Sequence, residues 1–243
     1  MAQENTVQHT VHSYDEELKK LDETIDRMGD MAEVQLQSAI QALVRRDGEI
    51  ARQVVEADMR IDDLEHQVST QAVRLLALRQ PVAQDLREIV AALKISSDLE
   101  RIGDYAANIG KRVIALSQTT PFKLPAGLPR MGWLAQKIIK DVLSAYDNHD
   151  SQKALAAWHS DEEVDETYSG LFRELLTHMM EDPRNIGACT HMLFIAKNIE
   201  RIGDHATNIA EIIYYMVVGE PLDAARPKGD ITSSMTISPP TTS

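Results

Sequence analysis

A single cysteine, Cys189, stands in a chain of 243 residues. No intramolecular disulfide can form, which fits a reducing compartment. With no His or Asp companion in sequence, Cys189 reads as a core residue rather than a nucleophile. Aromatics are scarce: three Phe and two Trp among many Leu, Ile, Val and Ala favour helix-on-helix packing over sheets. Basic residues are outnumbered, 25 Lys and Arg against 38 Asp and Glu. The resulting net charge of −13 argues against non-specific nucleic-acid binding, whose affinity comes from cations on phosphates. The longest apolar run, Ile212 to Val218, falls far short of the roughly 20 residues that span a bilayer, so no direct membrane insertion is expected. Met1 to His12 has neither a basic nor an apolar region of the kind a signal peptide needs, and a cytoplasmic location is expected. P-loop, dinucleotide loop, Gly-x-Ser-x-Gly and Cys/His zinc spacing are all missing. No catalytic constellation is visible, so the chain reads as a non-enzyme.

What is present is helical periodicity. After a loose arm over 1–12, Ser13 and Glu16 form a capping-box pattern, and Leu18, Leu21, Ile25, Met28, Leu36, Ile40 and Leu43 carry a first helix to about Arg46. Asp47-Gly48 breaks it. Apolar residues from Ile50 to Leu78 predict a long second helix, stopped by Pro81, which can sit in the start of the next. A third runs to about Ser117. Long helices with short connections imply antiparallel neighbours, hence a three-helix bundle over 13–118. The Pro-rich stretch 119–129 is a linker, and the plan then repeats over 130–219. There, a fourth helix precedes a fifth carrying Leu155 to Leu175, and a sixth opens at Asp182-Pro183 and ends at Gly219. Residues 220–243 read as a disordered tail, rich in Ser, Thr and Pro from Ile231. The expected fold is all-α: two tandem, internally duplicated three-helix bundles built from six long helices.

The clearest duplication is Asp98-Leu-Glu-Arg-Ile-Gly-Asp-Tyr-Ala-Ala-Asn-Ile109, which returns as Asn198-Ile-Glu-Arg-Ile-Gly-Asp-His-Ala-Thr-Asn-Ile209 with eight of twelve positions identical. Glu100 and Asp104 lie at i,i+4, as do Glu200 and Asp204. Like charges at this spacing cost a helix a few tenths of a kcal/mol, and a mid-helix glycine costs about one more. Each preceding helix carries its own acidic pair, Asp58 with Asp62 and Asp161 with Asp165; Asp58 and Asp62 fall beside the apolar seam, and both sets are expected to face outward. Clustered carboxylates suit hard cations, Mg, Mn, Fe or Ca, with Zn also accommodated. A bound cation would turn i,i+4 repulsion into bridging coordination. Asp98, Asn108 and Asn208 are candidates for additional ligands. His205 is matched by Tyr105, which argues against an obligate ligand role. Arg101 and Arg201 flank the acidic stripes as neutralising or pairing groups. Arg79, Gln80, Asp85 and Arg87 form a polar corner of helix-end chemistry; with the two stripe arginines they are candidate partner contacts.

The paired motifs, with Leu78-Arg-Gln-Pro-Val-Ala-Gln-Asp-Leu-Arg87 ahead of the first, resemble the PhoU family, the phosphate-specific transport system accessory proteins of bacteria. The resemblance spans about residues 13 to 220. It implies two three-helix bundles, often dimeric, with metal clusters on Asp58/Asp62, Glu100/Asp104, Asp161/Asp165 and Glu200/Asp204. It also implies negative regulation of phosphate uptake and phosphate-starvation signalling. The implied partners are the ATP-binding subunit of a phosphate ABC transporter and a phosphate sensor histidine kinase. The second half departs at Glu181-Asp182-Pro183, where the first has Arg79-Gln80-Pro81. Two rivals stand beside this reading. A ferritin-like di-iron enzyme needs inward Glu and two Glu-x-x-His motifs, of which Asp63-x-x-His66 is the sole approximation. A metal-free dimerisation scaffold would leave the acidic stripes merely solvated.

Overall fold

The computed structural model describes residues 2–120 and 123–223, with side chains from Tyr14 onward. Seven α-helices occupy these residues: α1 (Ala2–Arg45), α2 (Gly48–Arg79), α3 (Ala83–Ser117), α4 (Gly127–Asp147), α5 (Ser151–His159), α6 (Asp161–Glu181) and α7 (Ile186–Val218). Helices α1–α3 form one antiparallel bundle; α4, the α5–α6 arm and α7 form the second. The same corner joins the first two arms of each. Arg46 and His149 take the left-handed conformation, with φ of 52° and 50°. Asp47 then accepts hydrogen bonds from the backbone N–H groups of Glu49 and Ile50, and Asp150 from those of Gln152 and Lys153. An aspartate here satisfies donors that a helix start otherwise leaves unpaired.

Four details differ from the sequence reading. The arm assigned to 1–12 is helical from Ala2, so Ser13 lies inside α1 rather than capping it. Adding residues to a standing helix requires no new nucleus, and that favours continuation over a cap. The fifth helix is broken at Ser160, whose hydroxyl donates to the Ala156 carbonyl; such back-bonding bends helices. Pro81 lies between α2 and α3, because Gln80 ends α2 in the left-handed region with φ 48°. The linker yields to α4 at Gly127, with Pro129 accommodated in its first turn. Of the tail, residues 224–243 lie outside the described residues.

Both motif helices are buried on more than one side. Leu99, Ile102, Ala106, Ile109 and Val113 are at most 1% exposed, and each large one contributes roughly 1.5–3 kcal/mol of burial. Beyond its own bundle, α3 packs along α7, while α1 packs on α4. In the latter contact Tyr146 Oη donates to Asp22 Oδ1 at 2.7 Å, and Gln136 Nε2 to Glu33 Oε1 at 3.2 Å. Cys189 is fully buried and its thiol is pushed up by burial, as a core residue should be.

Two glycines should respond oppositely to Ala. A Cβ on Gly110 would lie 2.9 Å from the Ala51 carbonyl oxygen, whereas Gly170, inside α6, has nothing within 4 Å. Forcing backbone apart costs about 1–3 kcal/mol against a helix-propensity gain of about 1. Gly110→Ala therefore lowers the thermal unfolding temperature. Gly170→Ala raises it by about 2–4 °C. Scanning calorimetry on both variants checks the pair; shifts of the same sign refute it.

Candidate metal centre

The two copies of the motif pass each other. Tyr105 on α3 meets His205 on α7 with ring centroids 5.6 Å apart, and these are equivalent motif positions. Asp98 Oδ1 lies 2.7 Å from His205 Nδ1, while Arg112 lies over the Phe194 ring. Pairing 98 with 205 and 112 with 194 makes α3 and α7 antiparallel. His205 therefore belongs to the seam between bundles.

Each acidic set lies against a motif glycine. In the first bundle a Cβ on Gly103 would be 3.2 Å from Asp58 Oδ1 and 3.2 Å from Gln35 Oε1. Gln35 of α1 donates through Nε2 to the Val54 carbonyl at 3.0 Å and to Asp58 Oδ1 at 3.3 Å. In the second bundle a Cβ on Gly203 would fall inside contact distance of Asp161 Oδ1. The mid-helix glycines thus admit a carboxylate from the neighbouring helix to the backbone of α3 or α7. That explains why the chain tolerates their helix cost twice.

The sets differ in exposure. Asp62 is exposed, and Asp58, Glu100 and Asp104 are half-buried. Asp161, Asp165 and Glu200, by contrast, are only 2%, 5% and 5% exposed. The outward display expected for both pairs therefore fails in the second bundle. There Asp161 opens α6 just after the break at Ser160 and sits in the space left by Gly203.

Burial raises the carboxyl of Asp58, opposed by the Gln35 hydrogen bond and reinforced by Asp104 and Asp62. Burial also raises Glu100, with Asp104 adding to it and Arg101 opposing. Glu200 is raised by burial against a hydrogen bond from Lys197, with Asp204 and Asp165 adding repulsion. Lys197 Nζ lies 2.7 Å from Glu200 Oε1, and Glu200 Oε2 is buried with no hydrogen-bond partner among the described residues. A buried carboxylate costs several kcal/mol unless a proton or cation neutralises it. The donor chemistry, all carboxylate oxygen, and the orphaned Glu200 Oε2 fit a hard divalent or trivalent cation. Among the described residues no three Asp, Glu, His or Cys side chains stand ready as a metal-binding group; a cation would have to draw the mutually repelling oxygens together.

The other candidates fall into place around these sets. Arg101 reaches Asp104 Oδ2 at 3.2 Å and Glu100 Oε2 at 3.5 Å; exposed Arg201 makes no such contact among the described residues. Asn208 Nδ2 donates weakly to Asp98 Oδ1 at 3.4 Å, in the seam. Asn108 Oδ1 accepts from Lys111 Nζ at 3.2 Å, a cation where a metal ligand would be disfavoured. Arg79 pairs through two nitrogens with Glu17, tying α2 to α1, and Gln80 is the left-handed end of α2. Asp85 lies in the first turn of α3, while Arg87 Nε donates to the Met216 carbonyl at the end of α7. Asp63 and His66 are both exposed, which removes the one approximation to an inward Glu-x-x-His motif. Gln35 and Lys197 escaped the sequence reading. A glutamine beside Leu36 and the Lys197-x-x-Glu200 spacing were their only traces.

A carboxyl raised in the folded state holds its proton more tightly there than in the unfolded chain. Its contribution is most favourable below the ordinary glutamate range and is lost as pH rises from there through the raised value. In chelator-treated protein the unfolding temperature therefore falls between mildly acid and neutral pH, and Glu200→Gln flattens that fall. A divalent ion added at neutral pH raises the wild-type midpoint more than the variant's. Calorimetry at several pH values checks this; parallel curves with and without ion contradict it.

A family model described as "PhoU domain" matches residues 25–113 and 128–213, one copy per bundle. A "Phosphate-specific transport system accessory protein PhoU homolog" of Caulobacter vibrioides is 56% identical over 227 residues, covering 93% of this chain and 99% of its own. The protein of that name from Rhizobium meliloti is 49% identical, covering 93% and 96%. Among solved structures, PhoU from Pseudomonas aeruginosa superposes with a TM-score of 0.83 at 38% identity, over 85% of this chain and 100% of that one. The phosphate transport system regulatory protein PhoU from Streptococcus pneumoniae gives 0.81 at 31% identity, over 87% and 100%. With both copies of the domain matched and relatives aligned almost end to end, the chain belongs to the PhoU family.

Proposed function

We propose that this chain is a non-enzymatic accessory protein of a phosphate transport system and a negative regulator of phosphate uptake and phosphate-starvation signalling. It works on the cytoplasmic side as a homodimer. In phosphate plenty it holds the transporter's ATP-binding subunit and a sensor histidine kinase in their quiet states. The observation that carries the reading is near-full-length identity of 56% and 49% to proteins named as phosphate transport accessories. No helix among the described residues is long and apolar enough to cross a membrane, so contact with a transporter would go through its membrane-associated subunits.

The acidic sets supply the chemical half of the proposal. Asp58, Asp62, Glu100 and Asp104 would hold one cation site, and Asp161, Asp165, Glu200 and Asp204 the other, taking Fe, Mn, Mg or Zn. A bound ion would neutralise the repelling carboxylates and fix α2 against α3 and α6 against α7. Its role there is structural, shaping a docking face.

Deleting the gene in its host should leave phosphatase expression high in phosphate-rich medium; unchanged repression overturns the regulatory reading. Affinity capture at high and low phosphate should recover the transporter ATPase and the kinase. Metal content is read by elemental analysis of protein purified without a metal-affinity step, with Glu100→Ala/Glu200→Ala alongside. Equal metal in both favours the metal-free scaffold.

A further inference from the structure

At one end of the α3/α7 seam lies a hollow of about 330 Å³ lined by Asn108, Lys111 and Arg112 of α3 and His191, Phe194 and Asn198 of α7. It holds two cations and no carboxylate, in a chain of net charge −13. Arg112 lies 4.3 Å from the centroid of the Phe194 ring, and among the described residues it has no carboxylate partner. Stacking of this kind orients a guanidinium plane while leaving its N–H edge available for bidentate bonds. Lys111 Nζ donates to Asn108 Oδ1 at 3.2 Å, which leaves the Asn108 amide N–H₂ without an acceptor among the described residues. His191 Nδ1 is buried and has no hydrogen-bond partner among them. Phe194 is 47% exposed, an apolar surface beside the cations.

Duplication does not account for this arrangement. At the matching positions one hundred residues away, Lys111 and Arg112 become Glu211 and Ile212, His191 becomes Ala91, Phe194 becomes Lys94, and Asn198 becomes Asp98. At that opposite end the seam is closed by Asp98 with His205 and Asn208. The basic hollow belongs to one end only, and all but one of the residues lining it and named here differ from the other copy.

We propose that this hollow is a binding site for a phosphoryl anion. Two cations match the charge of about −1.5 to −2 that a phosphate monoester carries at neutral pH. Guanidinium, ammonium, amide and imidazole donors from two helices suit a tetrahedral group with several acceptor oxygens; a planar carboxylate would use only two. The volume lies at the low end of small-molecule pockets, roughly 300–1,000 Å³. It therefore has room for a phosphate ester as well as for the free ion, with the ester's organic part against Phe194. The hollow is not itself a metal site, since its cations would repel a metal ion, although the charge of Lys111 reaches Asp58 of the first acidic set.

Isothermal titration of the full chain in chelator-containing buffer, with inorganic phosphate, AMP, ATP and acetate as separate probes, tests the assignment. At least one phosphoryl probe saturates, acetate does not, and Lys111→Gln/Arg112→Gln weakens the interaction about tenfold or more. Both substituted side chains lie outside the hydrophobic core, and an unchanged circular-dichroism melt shows that the variant is folded. Saturation by inorganic phosphate identifies a free-anion site. Saturation by nucleotides alone identifies an ester site, and Phe194→Ala then weakens it. Absence of saturation by every phosphoryl probe at millimolar concentration overturns the proposal, as does a double variant that binds like wild type or acetate that binds as well as phosphate. Since chelator removes metal ions and neither partner is present, these outcomes are independent of the regulatory and metal tests.

Discussion

The molecule depends on the contact between α3 and α7. Each is the central helix of its own bundle, and each turns a remaining side to the other. A single apolar stripe would suffice for a surface helix. These two need more, which is why Ala, Gly and Thr alternate with Ile and Leu along both motifs. Ala107 and Thr207 are fully buried, and the Thr207 hydroxyl donates to the Asp204 carbonyl at 2.8 Å. Small residues let helices approach, and at one end of the seam His205 and Asn208 of α7 reach across to Asp98 of α3.

The same geometry settles where charge accumulates. With the core between helices filled, the acidic side chains of α2 and α6 reach the motif helices beside Gly103 and Gly203. In the first bundle Arg101 and Gln35 moderate the repulsion, and water reaches the oxygens. The second has Lys197 for a carboxylate group buried more deeply. Two copies of one motif thus occupy different electrostatic surroundings. The second set is the more deeply desolvated of the two, and burial is the main cause that raises Glu200.

Much of this was legible in the sequence. Helical period, the Asp47 and Gly219 boundaries and the repeated Glu-Arg-Ile-Gly-Asp core follow from local chemistry, and the structure keeps them. Pairing of acidic pairs across helices was legible too, from equivalent order in the two halves. Illegible were features that need residues far apart in sequence to meet. Asp161 and Asp165 were legible as the counterpart of Asp58 and Asp62, but the sequence could not say that a break at Ser160 would bury them. Arg112 and Phe194 each look like ordinary surface residues; only the antiparallel crossing stacks one on the other. The capping pattern at Ser13 misled for the opposite reason: a valid local signal was overridden by a helix that was already growing.

Contact between Tyr105 and His205 has a consequence for how this duplicated chain can change over time. Because corresponding positions of the two repeats are neighbours, a substitution in either copy alters the surroundings of its own counterpart. Drift at these positions is therefore not free to proceed separately in the two halves. A tyrosine facing an imidazole is one solution in which the repeats have ceased to be identical while still fitting each other.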